Sequence, residues 1–154
     1  VGALGLYAGA RLRSRWAFLA PLAAMLVSDL LLIRPLADRG MPAFSWMTPL
    51  IYGCFLLYAL IGRQVRHTSS PLFLAGGSLH GSVLFFLLTN FGVWLFGDGT
   101  FYPKTLAGLN QCYALGLPFL RNTVAGDLLF SGVFFGLHAL AVLVPGRQKA
   151  SQPA

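Results

Sequence analysis

Glutamate is absent from this sequence, and acidic side chains are confined to Asp29, Asp38, Asp98 and Asp127. Charged residues make up 10% of the chain, against about 25% in an ordinary soluble domain, which excludes a conventional hydrated surface. Cysteine is equally scarce: Cys54 and Cys112 both lie within apolar runs, leaving neither a disulfide framework nor a Cys-rich metal site. Signatures of soluble catalysis are missing as well. There is no Gly-x-Ser-x-Gly, no phosphate-binding Gly-x-x-x-x-Gly-Lys and no metal-spaced set of His and Cys. The chain is therefore not expected to be an enzyme, and any ATP-driven step would have to come from another chain. Segments of about ten residues with alternating polarity, the mark of a membrane barrel, are not found either.

Hydrophobic residues fill 56% of the 154 positions, above the roughly 45 to 50% of soluble domains. The mean hydropathy of +0.71 is the reverse of a disordered chain. The length suits one small domain, read as residues 1–146 with a polar tail over 147–154. Eleven Lys and Arg against four acids give a formal charge of +7, but they sit in short clusters between long uncharged stretches. They mark boundaries between spans and do not line one basic face, so a nucleic-acid partner is not expected.

A membrane helix needs about 20 predominantly apolar residues, with a range near 17 to 25. Residues 16–33, 40–62, 68–97, 105–120 and 128–146 are candidates. Pro49 suits a first helical turn. The stretch 68–97 exceeds one span, so its ends, 68–72 and 90–97, are expected to be loop. The chain opens at Val1 inside a further apolar run and is read as starting partway through its first hydrophobic segment. The expected fold is an all-α membrane protein, a compact bundle of about six transmembrane helices, the first truncated. Gly5 and Gly9, Gly77 and Gly81, and Gly132 and Gly136 form small-xxx-small pairs, which let helices approach closely in lipid; packing within the chain is favoured over docking of a second protein. On a six-helix topology Arg11, Arg13, Arg15, Arg63, Arg66 and Arg121 fall on one side and Arg34, Arg39, Lys104, Arg147 and Lys149 on the other. That near-balance gives no orientation by the positive-inside rule.

Polar groups at membrane depth are expensive and are the default functional candidates. One expected layer holds His80, Arg121, Asn122 and Asp127, with Ser78, Thr123 and His67 nearby. The other holds Asp29, Thr89, Asn90, Asn110, Gln111 and Cys112, with Tyr102 adjoining. The middle of the bundle is left mainly to Phe, Leu, Ala and Gly. Asp29 either bonds neighbouring helix ends or Thr89 and Asn90, or contacts a ligand or ion. Asn90 and Asn110 suit packing hydrogen bonds between helices. Pro118 is expected to end one helix, with Asn122 or Thr123 capping the next and Asp127 facing its positive end. Arg121, held at that turn, then binds a carboxylate or phosphate, pairs with Asp127 or snorkels to headgroups. His80 and His138 fall at about 10 and 18 Å from one side at 1.5 Å per residue, which counts against a bis-histidine haem; the cofactor is left unknown.

Segments 2–10, 21–29 and 85–94, Gly108-Leu109, Cys112-Tyr113 and the run Pro118-Phe119-Leu120-Arg121-Asn122-Thr123 together resemble recurring blocks of an uncharacterised family of small bacterial multi-helix membrane proteins that carry a transport label. More distantly, the pattern is similar to the substrate-binding S-components of energy-coupling factor transporters. That resemblance implies a multi-pass protein of the bacterial inner (cytoplasmic) membrane that captures or transports a vitamin-like molecule or metal. Its partners would be membrane lipid, a small-molecule substrate and membrane coupling or complex subunits. Of the coupling motif in the first helix of S-components, only Gly5-x-x-x-Gly9 is an approximation here. The substrate-binding residues expected are Arg121, Asn122, His80, Asp29 and Asn90, with no catalytic residue and no resident metal. The competing expectation is a non-catalytic accessory subunit of a larger membrane complex.

Overall fold

The computed structural model describes residues 1–143 except 13, 41, 43 and 69; Arg13, Arg147, Lys149 and the 147–154 tail lie outside the described residues. The described residues form five helices: α1 (Gly2–Arg11), α2 (Ser14–Ala37), α3 (Thr48–Gln64), α4 (Pro71–Phe96) and α5 (Leu106–Leu143). Helices are the economical choice where the surroundings offer no water, because each satisfies its backbone groups within one segment.

The expected count of six is corrected to five, because the segments 105–120 and 128–146 are fused into the single helix α5. Pro118 lies inside that helix. It removes one backbone donor, yet its ring sits on an exposed face. Thr123, expected as a cap, instead folds its hydroxyl back onto the Phe119 carbonyl at 2.9 Å. Breaking the helix there would have freed several backbone groups in apolar surroundings, a larger penalty than the one bond lost at proline. Two other boundaries also move. Ser45 and Thr48 exchange hydrogen bonds ahead of α3 (2.9 and 3.0 Å), which starts that helix at Thr48 with Pro49 in its first turn. The 90–97 end, expected as loop, remains helical to Phe96, closed by Lys104, whose ammonium donates to the carbonyls of Trp94 and Leu95. A cation suits the negative end of a helix.

The ten-residue α1 is the centre of the bundle and touches each of the other four helices. Its fit against α3 depends on glycine. A Cβ on Gly9 would lie 2.0 Å from the Ala59 carbonyl oxygen, and one on Gly62 would lie 2.2 Å from that of Leu6. The Gly5 and Gly9 pair therefore serves packing within the chain. The Gly132 and Gly136 pair does not, since a Cβ at either meets nothing within 4 Å.

α2, α4 and α5 are long and apolar enough to cross a membrane, whereas α3, at 17 residues, sits at the lower bound. Their outer faces carry bare large side chains: Leu31 is 73% exposed, Leu72 80% and Leu129 64%. So much contiguous apolar surface is unstable in water and is expected of a helical membrane protein. One end of the bundle gathers Arg11, which donates to the carbonyls of Arg66 and Thr68, and Arg63, which lies over the Phe18 ring. The opposite end holds Arg34 in the last turn of α2, the turn closed by Gly40 at φ +69°, and Lys104. Arg121, expected among the first group, belongs to neither, because it lies within α5.

Candidate functional site

α4 and α5 run antiparallel, and each turns a pair of polar residues, spaced four apart, toward the other. Residues at that spacing share a helix face. Ser78 and Ser82 on α4 thus meet Asp127 and Ser131 on α5, and all four side chains are buried. The carboxylate of Asp127 is the hub. Its Oδ1 accepts the Ala3 backbone N–H at 3.2 Å. Its Oδ2 accepts the Tyr58 hydroxyl at 2.5 Å and the Ser82 hydroxyl at 3.0 Å. Ser82 also has the Ser78 carbonyl within 3.1 Å, and the Ser131 and Ser78 hydroxyls lie 3.5 Å apart. Glycine makes room for the group: a Cβ on Gly2 would stand 2.7 Å from both Asp127 oxygens, and one on Gly81 would strike the Tyr58 ring at 2.3 Å.

Depth gives this cluster its significance. Ser82 lies roughly 16 Å from one end of α4 and 21 Å from the other at 1.5 Å per residue. The carboxylate therefore sits near the middle of the bundle, where mainly Phe, Leu, Ala and Gly were expected. Its three donors are all electrically neutral. Beside it is a cavity of about 290 Å³ whose walls include Tyr58, Asn122, Thr123, Asp127 and the rings of Phe55 and Phe85.

The five residues expected to form the site do not converge. Asn122 is on the wall of the Asp127 cavity, while Arg121 beside it points outward and is exposed. His80 is exposed along a groove of about 300 Å³ shared with Gln64 and Phe73. Asp29 accepts the Tyr52 hydroxyl at 2.7 Å, which ties α2 to α3 in place of the expected Thr89 and Asn90. Thr89 turns back to the Phe85 carbonyl at 2.7 Å. Asn90 donates to the Phe86 carbonyl of its own helix at 2.9 Å, and its backbone carbonyl lies 3.4 Å from the Cys112 thiol. The Thr89 and Asn90 side chains thus bond within α4, while the Asp29 and Cys112 contacts join helices. His138 likewise pairs its Nδ1 with the Tyr7 hydroxyl at 3.1 Å, within the rings of Phe134 and Phe135. Among the described residues, no group of three His, Cys, Asp or Glu could hold a metal ion.

Asp127 was expected to face the positive end of a sixth helix capped by Asn122 or Thr123, and Tyr58, Ser82 and Ser131 were not singled out. The two facing four-residue spacings were the signal available for Ser82 and Ser131, whereas Tyr58 stands alone in an uncharged run. A family profile described as "Family of unknown function (DUF6580)" matches residues 1–151. It carries no transport label. No curated protein and no solved structure matches the chain.

Proposed function

We propose that this chain, which belongs to the DUF6580 family of unknown function, is an integral membrane protein that captures or transports a small molecule at a polar site centred on Asp127. The observation that carries this reading is the position of that carboxylate: 8% exposed, midway along the bundle, and met, among the described residues, by neutral donors. An ionisable group at such depth is costly and marks a functional site by default. A cavity of about 290 Å³ lies near the small end of ligand pockets, which suits a vitamin-like molecule or a metal ion. Aromatic walls with a few convergent polar groups are the usual make-up of such pockets. Asn122 belongs to the wall, whereas Arg121, next to it in sequence, is exposed and takes no part in the cavity. Location in a bacterial inner membrane, and reliance on coupling subunits as in S-components, extend the same proposal. With five helices in place of six, the S-component comparison lends it less support than Asp127 does.

The test is uptake into proteoliposomes across a panel of labelled vitamins and metal ions. One solute should enter above the level of empty vesicles and fall at least tenfold in Asp127→Asn protein of unchanged helicity. Entry of none, or equal entry with the variant, overturns the reading.

A second reading, a non-catalytic accessory subunit, is favoured by the open face at Gly132 and Gly136, where a Cβ meets nothing within 4 Å. Native mass spectrometry of mildly solubilised membranes separates the two, because a protein always isolated alone excludes an obligate subunit.

A further inference from the structure

We infer that the Asp127–Tyr58–Ser82 cluster is a binding site for a small monovalent cation, with sodium the natural occupant. The inference rests on the same site as the proposed transport function and deepens it by naming a coupling ion.

Three features of the cluster support it. The first is charge. A lone carboxylate buried among neutral donors in a low-dielectric bundle keeps most of its solvation penalty, and a bound cation removes that penalty. A single negative charge matches a monovalent ion, whereas divalent ions are held by sites with more carboxylates. The second is donor type. Asp127 Oδ2, the Tyr58 hydroxyl and the Ser82 hydroxyl are all hard oxygens, which select hard cations over the metals that prefer nitrogen or sulfur. The two hydroxyls lie 2.5 and 3.0 Å from Oδ2 and 3.5 Å from each other, so they must spread less to admit a small ion than a large one.

The third feature concerns where the hydroxyl protons go when an ion arrives. Tyr58 has a second acceptor in Ser82 Oγ at 3.5 Å, and Ser82 has a second acceptor in the Ser78 carbonyl at 3.1 Å. Rotation of both hydroxyls along that relay leaves no donor unpaired. It frees Asp127 Oδ2 and turns the lone pairs of Tyr58 and Ser82 toward the same point. Oδ1 remains held by the Ala3 N–H at 3.2 Å.

Thermal unfolding of the purified full chain in detergent, at constant ionic strength made up with choline chloride, tests the inference without any transported solute. Sodium chloride should raise Tm saturably by several degrees, since a ligand that binds only the folded state stabilises it, and potassium chloride should do so far less. Ser82→Ala should raise the half-saturating sodium concentration at least tenfold, and Asp127→Asn should abolish the shift. If Asp127→Asn does not fold, Tyr58→Phe and Ser82→Ala carry the comparison. Equal shifts with sodium, potassium and choline, a sodium response that survives these substitutions, or stabilisation by acid in place of sodium overturns the site. Solute uptake is scored separately, so failure of the ion site and failure of the transport reading are distinguishable.

Discussion

The Tyr58 hydroxyl meets Asp127 Oδ2 at 2.5 Å across 69 positions of sequence. This bond joins α3 to α5, two helices whose backbones do not pack directly together, and it passes through the gap left by Gly2 and Gly81. A glycine-lined crossing thus makes room for the polar cluster, and the cluster in turn fixes how α1, α3, α4 and α5 meet.

Tyr58→Phe keeps the ring and removes the donor. Asp127 Oδ2 then keeps only Ser82, and the buried carboxylate loses a charge-assisted bond. Such a loss costs about 1–3 kcal/mol, to be read as a lower midpoint in denaturant titration of the detergent-solubilised protein. Because both hydroxyls share one acceptor, the Tyr58→Phe and Ser82→Ala double variant should depart from additivity by roughly 0.5–3 kcal/mol. Strict additivity would show that the two bonds act independently.

Glycine substitutions should divide by position. Gly9→Ala places a methyl 2.0 Å from the Ala59 carbonyl oxygen, where backbone and not a flexible side chain must yield. Overpacking of that kind costs about 1–3 kcal/mol. Gly132→Ala meets nothing within 4 Å and gains helix propensity of up to about 1 kcal/mol. Parallel thermal denaturation should therefore lower Tm for the first and leave or raise it for the second. A loss of stability in Gly132→Ala would indicate a partner on that face.

Acid should loosen the turn between α4 and α5 only well below the usual aspartate range. Asp98 Oδ1 accepts the Thr100 backbone N–H at 2.9 Å, and this bond, with the Thr100 side chain next in weight, holds its carboxyl below the ordinary value. A depressed folded-state value means the ionised form is favoured by folding. Its contribution is full above the unfolded aspartate value and disappears as pH falls through the lower, folded one. Trp94, which donates to the Pro103 carbonyl at 3.0 Å, reports on this turn by fluorescence. Its emission should hold steady down to the ordinary aspartate range and change only below it, and Asp98→Ala should remove that acid transition.

Apolar run length and charge spacing sufficed to locate most of the helices, because lipid imposes both constraints directly. Pro49 entered a first turn as its position suggested, and the Gly5 and Gly9 pair was legible as internal packing, whereas Pro71, expected in the 68–72 loop, opens α4. The continuity of α5 was not. Its sequence carries proline, asparagine and threonine together, residues that normally end helices, and the outcome depended on surroundings that offered their backbone groups no alternative partner. The candidate site was half legible. Asp127 was visible as an intramembrane acid, but its partners lie on three other helices, and no local spacing reveals a contact as remote as that with Tyr58. Asp29 and Asn90 looked alike as polar groups at depth, and only geometry shows that Tyr52 and the Phe86 carbonyl already occupy them.

The unbroken α5 makes a prediction that separates it from the two-helix alternative. Leu115 and Leu129 flank the Pro118 to Thr123 segment and are exposed, at 57% and 64%, so spin labels there should not disturb packing. In one continuous helix their backbones are about 21 Å apart at 1.5 Å per residue. A hairpin turning at Arg121 would set them side by side on adjacent helices, roughly 8–10 Å apart. Pulsed electron resonance in nanodiscs distinguishes these distances directly. Pro118→Ala sharpens the measurement, since it restores a backbone donor for the Ala114 carbonyl and relieves the ring's clash with that turn. It should keep the long distance and narrow its distribution. A short distance in the parent chain that lengthens in Pro118→Ala would mean that the proline ends a helix after all, and would return Asp127 to the first turn of a separate helix, facing its positive end.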